Sequence, residues 1–308
     1  MTRDAAAALL EAIGARWRLD IRRHSQQVKE AYEPLIAAAP RDGVEVRRDI
    51  GYGPHPRQVV DVFVPPALPA HGARVVAFVH GGAFVRGDKR TTEQIYDNVL
   101  FWFARQGCVG VNVEYRLAPE ASYPAGAEDV ASALRWLQAR VAKFGGDPAR
   151  VFLIGHSSGG THAAAAMFDP ALPGNERPQV AGLVLVSARL RADRLAENPN
   201  AAGVAAYFGA DATLDEARSP CMQAAGSDVP VMIVVAEFEN PLLDLYGLEF
   251  AQRLAAARRR APRFVQARGH NHMSVVAHFN SGEEALGREM LAFFDTVERD
   301  RQPRSSGC

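Results

Sequence analysis

Short, nearly continuous apolar runs alternate with longer helical stretches along most of this sequence, and that alternation restricts the fold more than any other feature. The runs lie at Arg74–His80, Val109–Val113, Val151–Ile154, Val180–Val186, Val231–Ala236 and Arg263–Ala267. Runs of this kind are typical of strands that are buried on both faces. Helices are predicted between them at Thr92–Arg105, Gly126–Phe144, Gly159–Phe168 and Leu243–Ala257. Alternating strands and helices predict an α/β fold, in which helices flank both faces of a mostly parallel central sheet.

Three further segments lie outside this alternation. Apolar residues recur at roughly helical spacing from residue 4 to residue 39, which predicts an N-terminal helix. Two β-prone runs, Val44–Ile50 and Val59–Val64, predict a hairpin-like pair. Residues 188–228 show no clear strand, and we interpret them as an insertion that forms a small cap with the N-terminal helix. The predicted organisation is a helical cap segment at 1–40, the main α/β domain at 41–300 with its cap insertion at 188–228, and a disordered tail at 301–308.

Charge and composition argue against several classes of protein. The 35 Lys and Arg residues balance the 35 Asp and Glu residues, whereas nucleic-acid and membrane-surface binders normally carry a basic excess. No uninterrupted apolar stretch approaches the length of a membrane span, and Asp4 and Glu11 interrupt the N-terminal apolar run, unlike in a secretory signal. The cysteines, at positions 108, 221 and 308, are too far apart to suggest a disulfide framework. We expect a cytoplasmic chain without a nucleic-acid partner, and we leave a homodimer open.

The strongest local signal is the hexapeptide G-H-S-S-G-G that begins at Gly155, which contains the pattern G-x-S-x-G. It follows a predicted strand and precedes a predicted helix, and in that context the pattern places a serine on a strained, exposed turn. The residues two positions before and after the serine must be small, so that strand and helix can approach. Gly155 and Gly159 meet this requirement for Ser157, whereas Ser158 has His156 two positions before it. Ser157 is therefore the candidate nucleophile.

The tetrapeptide H-G-G-A that begins at His80 follows another predicted strand. Acyl transfer builds negative charge on a carbonyl oxygen, and preorganised backbone N–H groups can stabilise that charge. Glycines let such groups turn inward without obstruction by a side chain. We assign this oxyanion hole to the N–H groups of Gly82, Ala83 and Ser158, with Gly81 shaping the turn.

Four motifs carry a resemblance to a known family. They are H-G-G-A from His80, Y-R-L-A-P-E from Tyr115, Y-P from Tyr123 with Asp129, and G-H-S-S-G-G from Gly155. In this order they resemble the hormone-sensitive-lipase-like carboxylesterases of the α/β-hydrolase fold, over residues 60 to 295. The family usually has H-G-G-G and G-D-S-A-G-G, so this chain departs from it at Ala83, His156 and Ser158. Later sequence, A-E-F-E from Ala236 and N-H-M-S from Asn271, also resembles the related arylformamidase and feruloyl-esterase-like branch.

A serine hydroxyl needs an imidazole to accept its proton and a carboxylate to orient that imidazole. In this fold the acid and then the histidine follow the serine along the chain. We favour His272, which follows the last predicted strand and to which the resemblance also points, and we keep His270 as an alternative. The acid should follow the penultimate strand, where Glu237, Glu239 and Asp244 are candidates, and the family motif places Glu239 at that position. The paired histidines lack a carboxylate-rich partner motif, so we expect no metal.

Substrate contacts are less constrained by the sequence. Candidates for an acyl or aromatic pocket, with plain packing as the alternative, are Phe84, Tyr207, Phe208 and Phe238. Arg189 begins a basic cluster with Arg191 and Arg194 just after a central strand, and ligands of such sheets bind at the carboxyl ends of strands. We name Arg189 as a candidate to bind a substrate carboxylate, against the alternative of a solvated surface cluster.

The resemblance implies a serine hydrolase that cleaves a small carboxylic ester through an acyl-enzyme, without a metal or an organic cofactor. One alternative is an amide or formamide hydrolase that uses the same three side chains on a small amide substrate. A more remote alternative is a non-catalytic ligand-binding protein, as in the gibberellin receptors, which resemble this family but lack the histidine of the triad. Serine, acid and histidine candidates are all present here.

Overall fold

The computed structural model describes residues 2–41, 43–172 and 177–301. Within these ranges the strands are β1 Glu45–Gly51, β2 Val59–Val64, β3 Ala73–Val79, β4 Val109–Val113, β5 Gly146–His156, β6 Gly182–Val186, β7 Val231–Phe238 and β8 Arg263–Asn271. They form one sheet in the order β1-β2-β4-β3-β5-β6-β7-β8. The β1–β2 and β2–β4 pairs are antiparallel, and the other five pairs are parallel. The predictions of a hairpin-like pair and a mostly parallel sheet are confirmed.

Two apolar layers cover the two faces of this sheet. Successive side chains of a strand point to opposite faces, and in β3 Val76 and Phe78 belong to one layer while Val75, Ala77 and Val79 belong to the other. Every residue of β4 and of β6 is buried. The central strands are therefore apolar on both faces because helices cover both, which is why their sequences do not alternate with polar residues.

The helices are α1 Arg3–Gly14, α2 Ile21–Ala37, α3 Asp97–Arg105, α4 Ala125–Arg140, α5 Ser158–Phe168, α6 Ala201–Phe208, α7 Asp215–Arg218, α8 Leu243–Arg258, α9 Ser274–Ala277 and α10 Ala285–Arg301. Apolar residues of α1, α2, α3, α9 and α10 join the layer on one face of the sheet. Those of α4, α5 and α8 join the layer on the other face. In the described part of the chain, no helix is both long enough and apolar enough to span a membrane.

The N-terminal segment differs from the single helix that the spacing predicts. A short 3₁₀ turn, Trp17–Leu19, separates α1 from α2. The side chain of Asp20 accepts the N–H of Arg23 and so caps a new helix at that point. The indole N–H of Trp17 donates to the side chain of Asn240 at 2.8 Å, which anchors the turn against the segment after β7.

The segment 188–228 contains α6 and α7 but no strand. Its helix α6 lies close against the loop after β3, because a Cβ atom on Gly203 would come within 2.3 Å of the carbonyl oxygen of Ala83. The segment therefore covers the loop that carries the predicted oxyanion hole. Arg301, the first residue of the predicted disordered tail, is the last residue of α10, and the rest of that tail, 302–308, lies outside the described residues.

Candidate active site

Ser157 occupies the turn between the end of β5 and the start of α5, with a φ angle of +56°. This region of backbone conformation is costly for a residue with a side chain and persists only where the surroundings impose it. A Cβ atom on Gly159 would lie 2.2 Å from the carbonyl oxygen of His80, and one on Gly155 would lie 2.6 Å from the Cα of Gly160. Glycine is therefore required on both sides of the turn, for the steric reason that the sequence motif implies.

The structure brings together three of the predicted side chains. Nε2 of His272 lies 3.1 Å from Oγ of Ser157, and Nδ1 of His272 lies 2.6 Å from Oε1 of Glu239. His272 follows β8 directly, and Glu239 follows β7 directly. Since the carboxyl ends of parallel strands meet at one edge of a sheet, residues that are far apart in sequence converge there.

The carboxylate of Glu239 is fully buried. Its two oxygens also accept the backbone N–H groups of Ala236, at 3.1 Å, and Asn240, at 2.9 Å. Burial acts to raise the pKa of Glu239, but the nearby His272 and the donated hydrogen bonds outweigh it, so that the pKa is lowered. The geometry therefore holds a carboxylate anion against Nδ1 of the imidazole.

The other candidates for base and acid have different partners. Nδ1 of His270 lies 3.2 Å from the hydroxyl of Ser274. Asp244 pairs with Arg18 at 3.3 Å. Glu237 accepts a backbone N–H from β8. Among the described residues, neither Asp244 nor Glu237 is hydrogen-bonded to His272.

The predicted oxyanion loop lies beside the turn that carries Ser157. The N–H of Gly82 donates to Oγ of Ser158 at 2.9 Å, and the N–H of Gly81 donates to the hydroxyl of Tyr96 at 3.3 Å. The N–H groups of Ala83 and Ser158 have no acceptor among the described residues. Two of the assigned N–H groups are thus free to bind an oxyanion, and a third is bonded to a neighbouring side chain.

The predicted aromatic residues fall into two places. Phe84, Tyr207 and Phe208 are almost fully buried and pack on each other, with Phe84 and Tyr207 stacked at 4.9 Å between ring centroids. Phe238 is partly buried, and its ring lies against Gly14 of α1. The first three therefore form a packed cluster next to the predicted oxyanion loop, and the fourth packs the end of β7 against α1.

The predicted arginine cluster is engaged in ion pairs. Arg189 is buried and binds Asp193, four positions along the chain. The two other pairs are Arg191 with Glu249 and Arg194 with Asp215. Nη2 of Arg189 has no hydrogen-bond partner among the described residues, and its backbone N–H donates to the carbonyl of Ser157 at 3.2 Å.

Sequence reasoning missed two residues beside the site. Tyr96 lies in the segment before α3, and its hydroxyl contacts both the oxyanion loop and His156. Trp17 reaches the segment after Glu239 through Asn240. Neither had a sequence signal, because each contact joins segments that only the folded chain brings together.

Comparison with known proteins identifies the family of the fold. A family model described as the alpha/beta hydrolase fold matches residues 76–275. Esterase LipC of Mycobacterium tuberculosis is 40% identical over 120 residues, which cover 39% of this chain and 29% of LipC. Carboxylesterase NlhH of the same organism is 38% identical over 122 residues, which cover 38% of this chain and 35% of NlhH. With 29% and 35% of their lengths matched, the chain spans about a third of these relatives.

A likeness in three dimensions extends further than the likeness in sequence. The crystal structure of esterase B from Lactobacillus rhamnosis superposes with a TM-score of 0.69, at 19% identity, and the match covers 96% of this chain and 97% of that one. At that identity the likeness concerns the fold alone. Together with the family model, which matches well over half of the sequence, it confirms the fold that the motifs imply. This chain belongs to the alpha/beta hydrolase fold family.

Proposed function

We propose that this chain is a serine hydrolase that cleaves a small carboxylic ester. The observation that carries the proposal is the continuous hydrogen-bonded arrangement of Ser157, His272 and Glu239. A hydroxyl, an imidazole and a buried carboxylate in this order are the groups that acyl transfer to serine requires. The names of LipC and NlhH, an esterase and a carboxylesterase, support an ester as the substrate.

Each group has one role in the proposed reaction. Oγ of Ser157 attacks the acyl carbonyl while Nε2 of His272 takes its proton. Glu239 accepts the hydrogen bond from Nδ1–H and stabilises the imidazolium that forms. The N–H groups of Ala83 and Ser158 bind the oxyanion of the tetrahedral intermediate.

The proton balance closes over two half-reactions. His272 returns its proton to the departing alkoxide, which leaves as the alcohol and produces an acyl-enzyme on Ser157. Water then attacks the acyl carbonyl and gives its proton to His272. The carboxylic acid is released, and the proton on His272 returns to Ser157.

The packed aromatic cluster next to the oxyanion loop supports a small acyl group. Phe84, Tyr207 and Phe208 fill space with one another beside the N–H groups that would hold the acyl oxygen. A long acyl chain on that side would have to displace rings that are already stacked, which costs packing energy.

An activity screen tests this proposal and separates it from its alternatives. p-Nitrophenyl acetate, butyrate and octanoate are compared with an aryl formamide, and Ser157→Ala is the control for background hydrolysis. We expect the highest kcat/KM with acetate or butyrate. Faster turnover of the formamide would favour the amide hydrolase. If none of these substrates is hydrolysed but calorimetry detects binding of a small molecule, a binding protein would be favoured.

Arg189 remains our candidate for a contact with an anionic substrate, because its Nη2 is buried without an acceptor. A planar guanidinium with a free N–H group can bind a carboxylate strongly once water is excluded. The test compares KM for a neutral ester and for its carboxylate-bearing analogue in wild type, Arg189→Lys and the matched control Arg191→Lys. A rise in KM for the anionic ester in the Arg189 variant alone supports the contact. Equal preference in all three proteins contradicts it.

A further inference from the structure

The ring of His156 lies between two segments that both belong to the proposed active site. Nδ1 of His156 lies 3.1 Å from the hydroxyl of Tyr96, and Nε2 lies 3.0 Å from the backbone carbonyl oxygen of His272. The hydroxyl of Tyr96 is also the acceptor for the N–H of Gly81, at 3.3 Å. One buried imidazole and one buried phenol therefore connect the predicted oxyanion loop, the turn at Ser157 and the loop that carries His272. We call these two side chains, His156 and Tyr96, the bridge.

Only one arrangement of protons satisfies this chain of contacts. The carbonyl of His272 can only accept, so Nε2 of His156 must carry a proton. A neutral ring then has a bare Nδ1, which accepts the hydroxyl proton of Tyr96. That hydroxyl in turn has a lone pair for the N–H of Gly81. In the opposite tautomer Nε2 would carry no proton, so it and the carbonyl oxygen of His272 would be two acceptors in contact.

The surroundings keep the ring neutral. His156 and Tyr96 are 2% and 4% exposed. Burial is the main cause, and the nearby His272 a smaller one, of a pKa of His156 that is lowered to about 3. Burial also raises the pKa of Tyr96, so its hydroxyl keeps the proton that the bridge requires. The bridge therefore has the same protonation state across the working range of a neutral-pH enzyme.

We propose that Tyr96 and His156 are positioning residues, which hold the backbone of His272 and the oxyanion loop in register with Ser157. The inference rests on the proposed function. Neither residue touches the reacting atoms in this account. Their effect is to fix where Nε2 of His272 lies relative to the nucleophile, and displacements of about 1 Å in such geometry can cost two orders of magnitude in rate.

The neighbouring contacts define what the bridge adds. The side-chain amide of Asn98 donates to the carbonyl oxygens of Val276, Ala277 and Phe279, and so holds the segment from α9 onward. Among the described residues, the ring of His156 is the side chain that binds the carbonyl of His272 itself. Asn98 anchors the helix after the loop, while the bridge anchors the residue that carries the proposed base.

Kinetics of two variants test this role. Tyr96→Phe keeps the ring and leaves both the N–H of Gly81 and Nδ1 of His156 without a partner. His156→Phe removes both ring nitrogens but keeps an aromatic ring in the same space. We expect each to lower kcat about ten-fold or more, while KM changes less than about two-fold, because no group that contacts substrate is removed.

Two further variants separate positioning from a general loss of packing. His156→Gln keeps an N–H group where Nε2 lies, so it should recover most of the kcat that His156→Phe loses. Tyr32→Phe is the matched control, since it also removes the hydroxyl of a buried tyrosine, one that donates to Glu283 at 2.8 Å. That control should keep the wild-type kcat.

Nitrogen-15 NMR of the unliganded protein shows which ring nitrogen of His156 is protonated, without any assay of turnover. We expect His156 to show a protonated, slowly exchanging Nε2 and an unprotonated Nδ1, and this pattern should be lost or broadened in Tyr96→Phe. A ring protonated at Nδ1 overturns the bridge. If Tyr96→Phe and His156→Phe both hydrolyse esters at the wild-type rate, the positioning role is overturned and the proposed function stands. A wild type that shows the expected tautomer but cleaves no ester overturns the proposed function, and the catalytic role of the bridge with it.

Discussion

The backbone N–H of Gly82 donates a hydrogen bond to the side-chain hydroxyl of Ser158 at 2.9 Å. This contact ties the oxyanion loop to the first residue of α5. The hydroxyl of Ser157, one position earlier, instead lies against Nε2 of His272. Two adjacent serines therefore have separate tasks in the structure: one hydroxyl contacts an imidazole, and the other contacts a loop backbone.

The first prediction follows from these separate tasks. Ser157→Ala should lower kcat by a factor on the order of 10⁶, as loss of the nucleophile does in a known serine hydrolase. Ser158→Ala keeps the backbone N–H and loses one neutral hydrogen bond, so we expect a decrease of no more than about ten-fold. Steady-state kinetics and labelling with a phosphonate ester measure both. An inactive Ser158→Ala together with an active Ser157→Ala would show that Ser158, and not Ser157, is the nucleophile.

The second prediction concerns the acid. Glu239→Gln keeps the shape of the side chain but removes the charge that holds the imidazole in one tautomer, so kcat should fall by about 10⁴-fold, by comparison with the corresponding Asp→Asn change in a serine protease. Asp244→Asn is the matched control, since Asp244 pairs with Arg18 and not with His272. That control should stay near the wild-type rate. A large loss in Asp244→Asn and none in Glu239→Gln would contradict the assignment.

The third prediction concerns pH. Only a neutral imidazole can accept the proton of Ser157, so kcat/KM should rise with pH as the proposed base loses its proton. Circular dichroism at each pH separates this effect from unfolding. A value of kcat/KM that rises nowhere in the pH range over which the protein stays folded would count against a histidine base.

Much of the sheet could be predicted from the sequence because its central strands are buried on both faces. The run Val109–Val113 corresponds to β4 residue for residue, and Val231–Ala236 lies within β7. The sharp turn at Ser157 was also predictable, since the steric need for glycine at Gly155 and Gly159 is local and appears directly in the motif. Local constraints of this kind leave a clear pattern in the sequence.

Features that depend on tertiary contacts were not predictable. Helix α10 lies in sequence where no element was predicted, and the turn after α1 is anchored by the hydrogen bond between Trp17 and Asn240. The bond between Tyr96 and Gly81 joins two loops whose proximity only the folded chain creates. The pair of Arg189 with Asp193 spans four positions, but the segment that contains it is not helical, so the spacing rule for helices does not account for it.

The last prediction concerns His162 of α5, which lies beside the proposed active site but outside its hydrogen bonds. Neither of its ring nitrogens has a partner among the described residues. Aromatic rings of Phe84, Tyr115 and Tyr207 surround it, with centroids 4.7 to 5.5 Å away. Burial lowers the pKa of His162 to about 3, so the ring is neutral in the folded chain at neutral pH.

This buried ring should make the protein sensitive to acid. The unfolded chain takes up a proton at His162 below about pH 6.5, whereas the folded chain does not until the pH approaches 3. Stability is therefore fully present above about pH 6.5 and is lost as the pH falls toward 3. His162→Leu removes this titration without breaking a hydrogen bond. The free energy of unfolding should therefore decrease between pH 7 and pH 5 by about 2 kcal/mol less in this variant than in wild type. Urea unfolding at both pH values measures the difference, with His71→Gln as the control at an exposed histidine. Equal losses in wild type and His162→Leu would show that this ring does not contribute to acid unfolding.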